Sequence, residues 1–175
     1  MLHCTFDELV NFVEIELAAA NFRFDEEARN KYKAPFWSYG WFRIRTYRNI
    51  PAAMDYLEWA GNLKVDESWG VNPEDETYGE ETYQAKGAKE ILALYKWWKE
   101  VRPQRGDPYE ISGWTAWCER RREDSLLLFA EDKTEEERAK TTHLLEVLRK
   151  IEEDYDKEDE EMLIRLIKIR KHLWT

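Results

Sequence analysis

Residues 86–117, KGAKEILALYKWWKEVRPQRGDPYEISGWTAW, decide the fold. Ile91, Leu94, Tyr95 and Trp98 recur at i, i+3, i+4 and i+7, which places them on one face of a helix, and Val101 extends that face. Trp97 falls at its flank. Lys89, Glu90, Lys96 and Lys99 lie mostly elsewhere, where they can face water. A helical glycine costs about 1 kcal/mol relative to alanine, so Gly87 predicts a helix that starts near Ala88. Pro103 ends it, because the residue before a proline is pushed out of the helical region. Pro103, Gly106 and Pro108 then make a tight loop through fixed and permissive φ angles.

Two readings of this stretch stand side by side. In one it is a core helix and its connection. In the other it lines a pocket: Arg102 and Arg105 supply forked donors for a phosphate or carboxylate, and Trp98, Trp114 or Trp117 supplies a stacking face.

Working outward, 175 residues suit one domain with a full hydrophobic core. Nine tryptophans and nine tyrosines exceed what such a core needs, so some rings are expected at a binding surface. A net charge of −10 argues against a non-specific nucleic-acid binder, whose affinity comes from phosphate neutralisation. It allows a basic partner, or mimicry of a nucleic acid. The two cysteines, Cys4 and Cys118, lie far apart with no CxxC, so neither a disulfide framework nor a zinc knuckle is expected. Residues 1–16, MLHCTFDELVNFVEIE, lack a basic region followed by an apolar run, and no stretch approaches the length of a membrane span. A reducing cytoplasm fits these features.

In chain order, residues 5–20 read as a first helix. A capping box is expected between Thr5 and Glu8, with Cys4 and Leu9 placed as a staple. Residues 24–33 are polar and suit a short second helix. Residues 35–48, PFWSYGWFRIRTYR, alternate with period two, which predicts a small aromatic β-like insert near residues 36–48. Arg43, Arg45 and Arg48 make this the one locally basic surface, and aromatic and arginine interleaving can hold a nucleotide. Snorkelling arginines on a strand edge are the plainer explanation. Pro51 opens a helix that Gly61 ends, with Met54, Leu57 and Trp59 expected inside.

Residues 64–83 hold seven acids and no base after Lys64, with Gly70, Pro73 and Gly79 among them. An irregular, mobile acidic loop is expected, because the spacing misses the calcium-loop pattern. Residues 114–124 should be helical with Arg120, Arg121 and Arg122 exposed, and the apolar run 125–129 should continue that helix into the core. A second capping box, Thr134 with Glu137, opens the C-terminal region. Its two apolar stripes are separated by EEDYDKEDEE, residues 152–161, whose neighbouring acids repel. That predicts an antiparallel helical hairpin over about 134–173, turning near residues 154–159, with one long helix as the alternative.

No nucleophile elbow, phosphate-cradling glycine loop or helical histidine pair occurs, so no catalytic or metal-binding residue and no cofactor is expected. Arg105-Gly106-Asp107 spells an adhesion tripeptide without the secreted setting that would give it meaning. One enzyme reading stays open, a magnesium-dependent all-α nucleotide pyrophosphohydrolase. Glu153 with Asp156 and Glu158 with Glu161 would be its metal pairs, although both sit in one acidic turn rather than on two facing helices.

Residues 86–114 and the ending DEEMLIRLIKIRKHLWT, residues 159–175, resemble segments of small accessory proteins of tailed bacteriophages. The resemblance implies a protein of the infected bacterial cytoplasm that acts by binding. It brings no site residues with it.

Together these readings predict a mainly α-helical single domain over residues 1–175, of about five to seven helices. The expected function is non-enzymatic binding that counteracts a host defence. In one version Arg43, Arg45, Arg48, Trp98, Arg102, Arg105, Trp114 and Trp117 draw on an anionic nucleotide-like ligand. In the other, the acidic segments inhibit a basic host protein. A virion or assembly role is the remaining alternative, and self-association is left open.

Overall fold

The structure, a computed structural model, describes residues 2–18, 50–124 and 134–173. Among these residues the fold is helical, as the periodicity predicts, and no strand forms. The nearest approach to one is a single antiparallel bridge between Lys64 and Glu81. The β-like insert expected near residues 36–48 lies outside the described residues, as do the polar stretch 24–33 and the apolar run 125–129. The chain divides into two compact units: Met1–Arg102 with Leu163–Thr175, and Pro103–Met162.

The first unit begins with α1, Leu2–Asn11, which widens into a π-helical turn at Phe12–Leu17. Phe6, Leu9, Val13 and Leu17 recur at three- and four-residue spacing and are buried. The capping box expected at Thr5 and Glu8 does not open this helix, which already runs from Leu2. Phe6 is fully buried and stacks on Trp98, and this packing carries the helix further toward the N-terminus than local capping predicts.

Helix α2, Ile50–Gly61, packs along α3, Tyr83–Lys96. Ala53, Leu57 and Ala60 form the buried face of α2, and Met54 is half-buried. Trp59, expected inside, is 42% exposed, because it lies two residues beyond Leu57 and so on a different side of the helix. Helix α3 starts five residues earlier than Gly87 suggested. Thr82 caps it, its hydroxyl accepting from the Ala85 N–H at 3.0 Å. Gly87 marks a close contact instead of a helix end. A Cβ at this position would run into the ring of His172, which lies in the one-turn 3-10 helix Arg170–His172.

Ile91, Leu94 and Tyr95 are buried as predicted. Beyond them α3 widens into a π-helical turn, Trp97–Val101. The extra residue per turn shifts the helical phase. Trp97, expected at the flank, is 6% exposed, with the Phe6 ring 5.3 Å away between centroids, and Trp98 is half-buried.

The second unit holds the short α4, Pro108–Ile111, then α5, Trp114–Asp124, and most of α6, Glu135–Ile169. Gly113, at φ +77°, makes the left-handed turn between α4 and α5. Thr134 and Glu137 form the expected capping box, the Thr134 N–H donating to Glu137 Oε2 at 3.1 Å and the Glu137 N–H to Thr134 Oγ1 at 3.2 Å.

The predicted hairpin is not present: α6 is one helix of 35 residues. Its sequence contains no glycine or proline to break it. The like-charge pairs four residues apart, Glu152/Asp156, Asp154/Glu158 and Asp156/Glu160, cost about 0.2–0.5 kcal/mol each. Two arginines of the same unit meet acids of this stretch. Arg149 pairs with Glu153 at 2.9 Å, and Arg105 pairs with both Glu158 and Asp159.

Candidate functional site

The residues nominated from the sequence fall into three groups. Arg43, Arg45 and Arg48 lie outside the described residues. Trp98 and Arg102 belong to the first unit; Arg105, Trp114 and Trp117 belong to the second.

Trp98 and Arg102 are brought together, with the guanidinium carbon 4.8 Å from the indole centroid. Phe6 stacks on the same indole at 4.6 Å and 14° between planes, and His3 meets it edge-on at 5.1 Å. Phe6 and Arg102 thus both lie against the Trp98 ring, so a planar ligand would meet a ring the protein already uses.

Arg105 is similarly engaged. Its side chain is 14% exposed, with Nη2 2.8 Å from Glu158 Oε2 and Nη1 2.7 Å from Asp159 Oδ1. The guanidinium carbon lies 4.8 Å from the ring centroid of Tyr155, whose hydroxyl donates to the Gly106 carbonyl at 3.3 Å. Asp107 accepts from the Tyr109 N–H at 2.9 Å and caps α4. The Arg-Gly-Asp tripeptide thus has internal work at both charged ends. Trp117 is buried, its Nε1–H donating to Thr141 Oγ1 at 3.1 Å, with Lys140 Nζ 4.5 Å from its ring centroid. Trp114 is half-buried at the start of α5.

The pairs nominated for magnesium, Glu153 with Asp156 and Glu158 with Glu161, all lie on α6, and Glu158 is the carboxylate that meets Arg105. Among the described residues no group of three or more His, Cys, Asp or Glu is placed to hold a metal ion.

The acidic segment between α2 and α3 is organised by backbone hydrogen bonds. The Val65 N–H donates to Glu80 O at 2.9 Å, Gly79 N–H to Val65 O at 2.8 Å, and Thr82 N–H to Leu63 O at 3.3 Å. Inside this frame the Asp66 carboxylate accepts from the Ser68 N–H at 2.9 Å, and Asp75 from the Asn72 N–H at 3.0 Å. Glu81 pairs with Lys89 of α3, and that hydrogen bond and charge hold its carboxyl below the usual range. Glu67, Glu74, Glu76 and Glu80 are exposed. Among them Trp69 is 49% and Tyr78 39% exposed. This conjunction of aromatic and acidic residues was visible in the sequence as Trp69 and Tyr78 inside the acid run.

Comparison of the chain with protein-family models, with curated proteins and with solved structures gives no match. No helix among the described residues is long and apolar enough to cross a membrane.

Proposed function

We propose that the protein acts by binding a basic surface on another protein, using the segment between α2 and α3. The observation that carries this reading is the exposure of Trp69 and Tyr78 among seven acids, on a loop fixed by its own backbone hydrogen bonds. Aromatic side chains dominate interface energetics, and complementary charge steers the encounter and selects the partner. A loop already held in one conformation loses less entropy on binding than a disordered one.

We further propose, on the resemblance read from residues 86–114 and 159–175 alone, that the partner is a host protein, inhibited in the cytoplasm of an infected bacterium. Sequestration of an anionic nucleotide-like ligand draws less support. Arg105 already meets two carboxylates, and Phe6 and Arg102 already lie against the Trp98 ring.

The test is native mass spectrometry of the full chain recovered from infected host cells. A stoichiometric host protein is expected with the wild type. It should be lost in Trp69→Ala combined with Glu74→Gln and Glu76→Gln, while helicity is unchanged. A small bound mass in place of a protein, or a partner retained by the triple variant, would overturn the proposal.

A further inference from the structure

Ile164 and Ile167 of α6 are 45% and 50% exposed, while Leu166 and Ile169, two residues further on from each, are buried. Two residues are a rotation of about 200° around a helix, so the two isoleucines occupy the side turned away from the core. Charge frames them on that side. Glu160 and Glu161 stand four and three residues before Ile164, and Lys168 stands four after it, so all three share its face. Lys171, one turn beyond Ile167, follows in the 3-10 turn Arg170–His172. All four charged side chains are exposed. Along this one helix and its terminal turn, the face therefore runs from two acids, through two isoleucines, to two lysines.

A face of that order is its own complement when reversed. We propose that it is a self-association surface, through which two copies of the chain form an antiparallel, two-fold dimer. With the axis between Ile164 and Ile167, Ile164 of one copy meets Ile167 of the other. Glu160 then faces Lys171 and Glu161 lies beside Lys168, and the two-fold repeats each pair. A parallel arrangement sets acid against acid and lysine against lysine, so charge admits one orientation only. The apolar centre is small, two isoleucines from each copy, so the dimer is reversible, with a Kd no tighter than about 1 µM. The surface lies on α6, and the inference is independent of the partner-binding segment between α2 and α3.

Sedimentation equilibrium of the full chain tests it, with circular dichroism to check that each variant keeps its helicity. The wild type should pass from monomer to dimer with a Kd between about 1 and 100 µM. Glu160→Lys combined with Glu161→Lys makes the face basic throughout. It should weaken the dimer about tenfold or more, although it lowers the net negative charge of each copy. Adding Lys168→Glu and Lys171→Glu reverses the order of charge, remakes every antiparallel pair and should restore the dimer. Should that fourfold variant fail to fold, an equimolar mixture of the two double variants gives the same reading, each monomeric alone and dimeric together. A wild type still monomeric at about 1 mM overturns the proposal. So does a Glu160→Lys, Glu161→Lys variant that dimerises as the wild type does, or a folded fourfold variant that stays monomeric.

Discussion

The phenol of Tyr95 on α3 donates a 2.8 Å hydrogen bond to Oε1 of Glu14, and Lys99 reaches the same carboxylate oxygen at 3.0 Å. Glu14 and Lys99 each sit in a π-helical turn, one following α1 and the other following α3. The two widened turns therefore meet at one carboxylate, to which the buried Tyr95 also donates. Burial first, then the hydrogen bond and charge of Glu14, push the Tyr95 phenol well above its ordinary value.

The sign of the pH effect follows. The fold favours the neutral phenol, so this contribution is complete below the unfolded phenol's pKa of about 10. It is lost as pH rises above that value, because the unfolded chain ionises first. Tyr95→Phe should cost about 1 kcal/mol at neutral pH through the lost hydrogen bond. It should also flatten the decline in stability above about pH 10. Denaturant unfolding of both proteins across neutral and alkaline pH measures both effects.

The capping box at the head of α6 permits a cleaner local measurement. Thr134 and Glu137 satisfy each other's backbone N–H groups, so each substitution exposes one helical donor. Thr134→Ala should destabilise by about 1 kcal/mol, and Thr134→Asp should be nearly silent, since aspartate caps as well. Thermal unfolding of the two variants beside the wild type distinguishes lost capping from lost packing.

In Trp117 a buried indole N–H meets the Thr141 hydroxyl at 3.1 Å, linking α5 to α6 within the second unit. Thr141→Val keeps the shape and removes the acceptor. It should cost about 1–3 kcal/mol, the price of leaving that buried donor unsatisfied. Trp117→Phe combined with Thr141→Val removes both partners and should cost less than the sum of the two single changes. A double-mutant cycle by chemical denaturation reads the difference.

What the sequence could and could not reveal divides along a physical line. The stripe Ile91, Leu94, Tyr95 was legible because burial of a helical face leaves a period in the chain. The box at Thr134 was legible because it is closed within four residues. The burial of Trp97 was not, since the ring it meets, Phe6 of α1, lies about ninety residues earlier in the chain. The sequence favours a turn over an unbroken α6 for a related reason: Arg105, which meets Glu158 and Asp159, lies about fifty residues earlier in the chain, and no window on residues 152–161 contains it. Among the nominated site residues, Trp98, Arg102, Arg105 and Trp117 had been chosen for the chemistry they could offer a ligand. The fold spends that chemistry on internal partners.

Gly87 supplies the most direct check on the first unit, because two explanations of it differ in outcome. If it were only a weak helix former, Gly87→Ala in α3 would stabilise the chain by up to about 1 kcal/mol. The structure instead places the His172 ring where that methyl group would go, with Tyr83 against the same ring at 4.2 Å between centroids. Overpacking of this kind typically costs about 1–3 kcal/mol. Gly87→Ala should therefore destabilise. In a His172→Ala background, where the obstructing ring is gone, the same substitution should recover its helical benefit and turn stabilising. Unfolding free energies of the four proteins decide the matter. A single variant more stable than the wild type would mean that the C-terminal turn does not pack on α3 in solution.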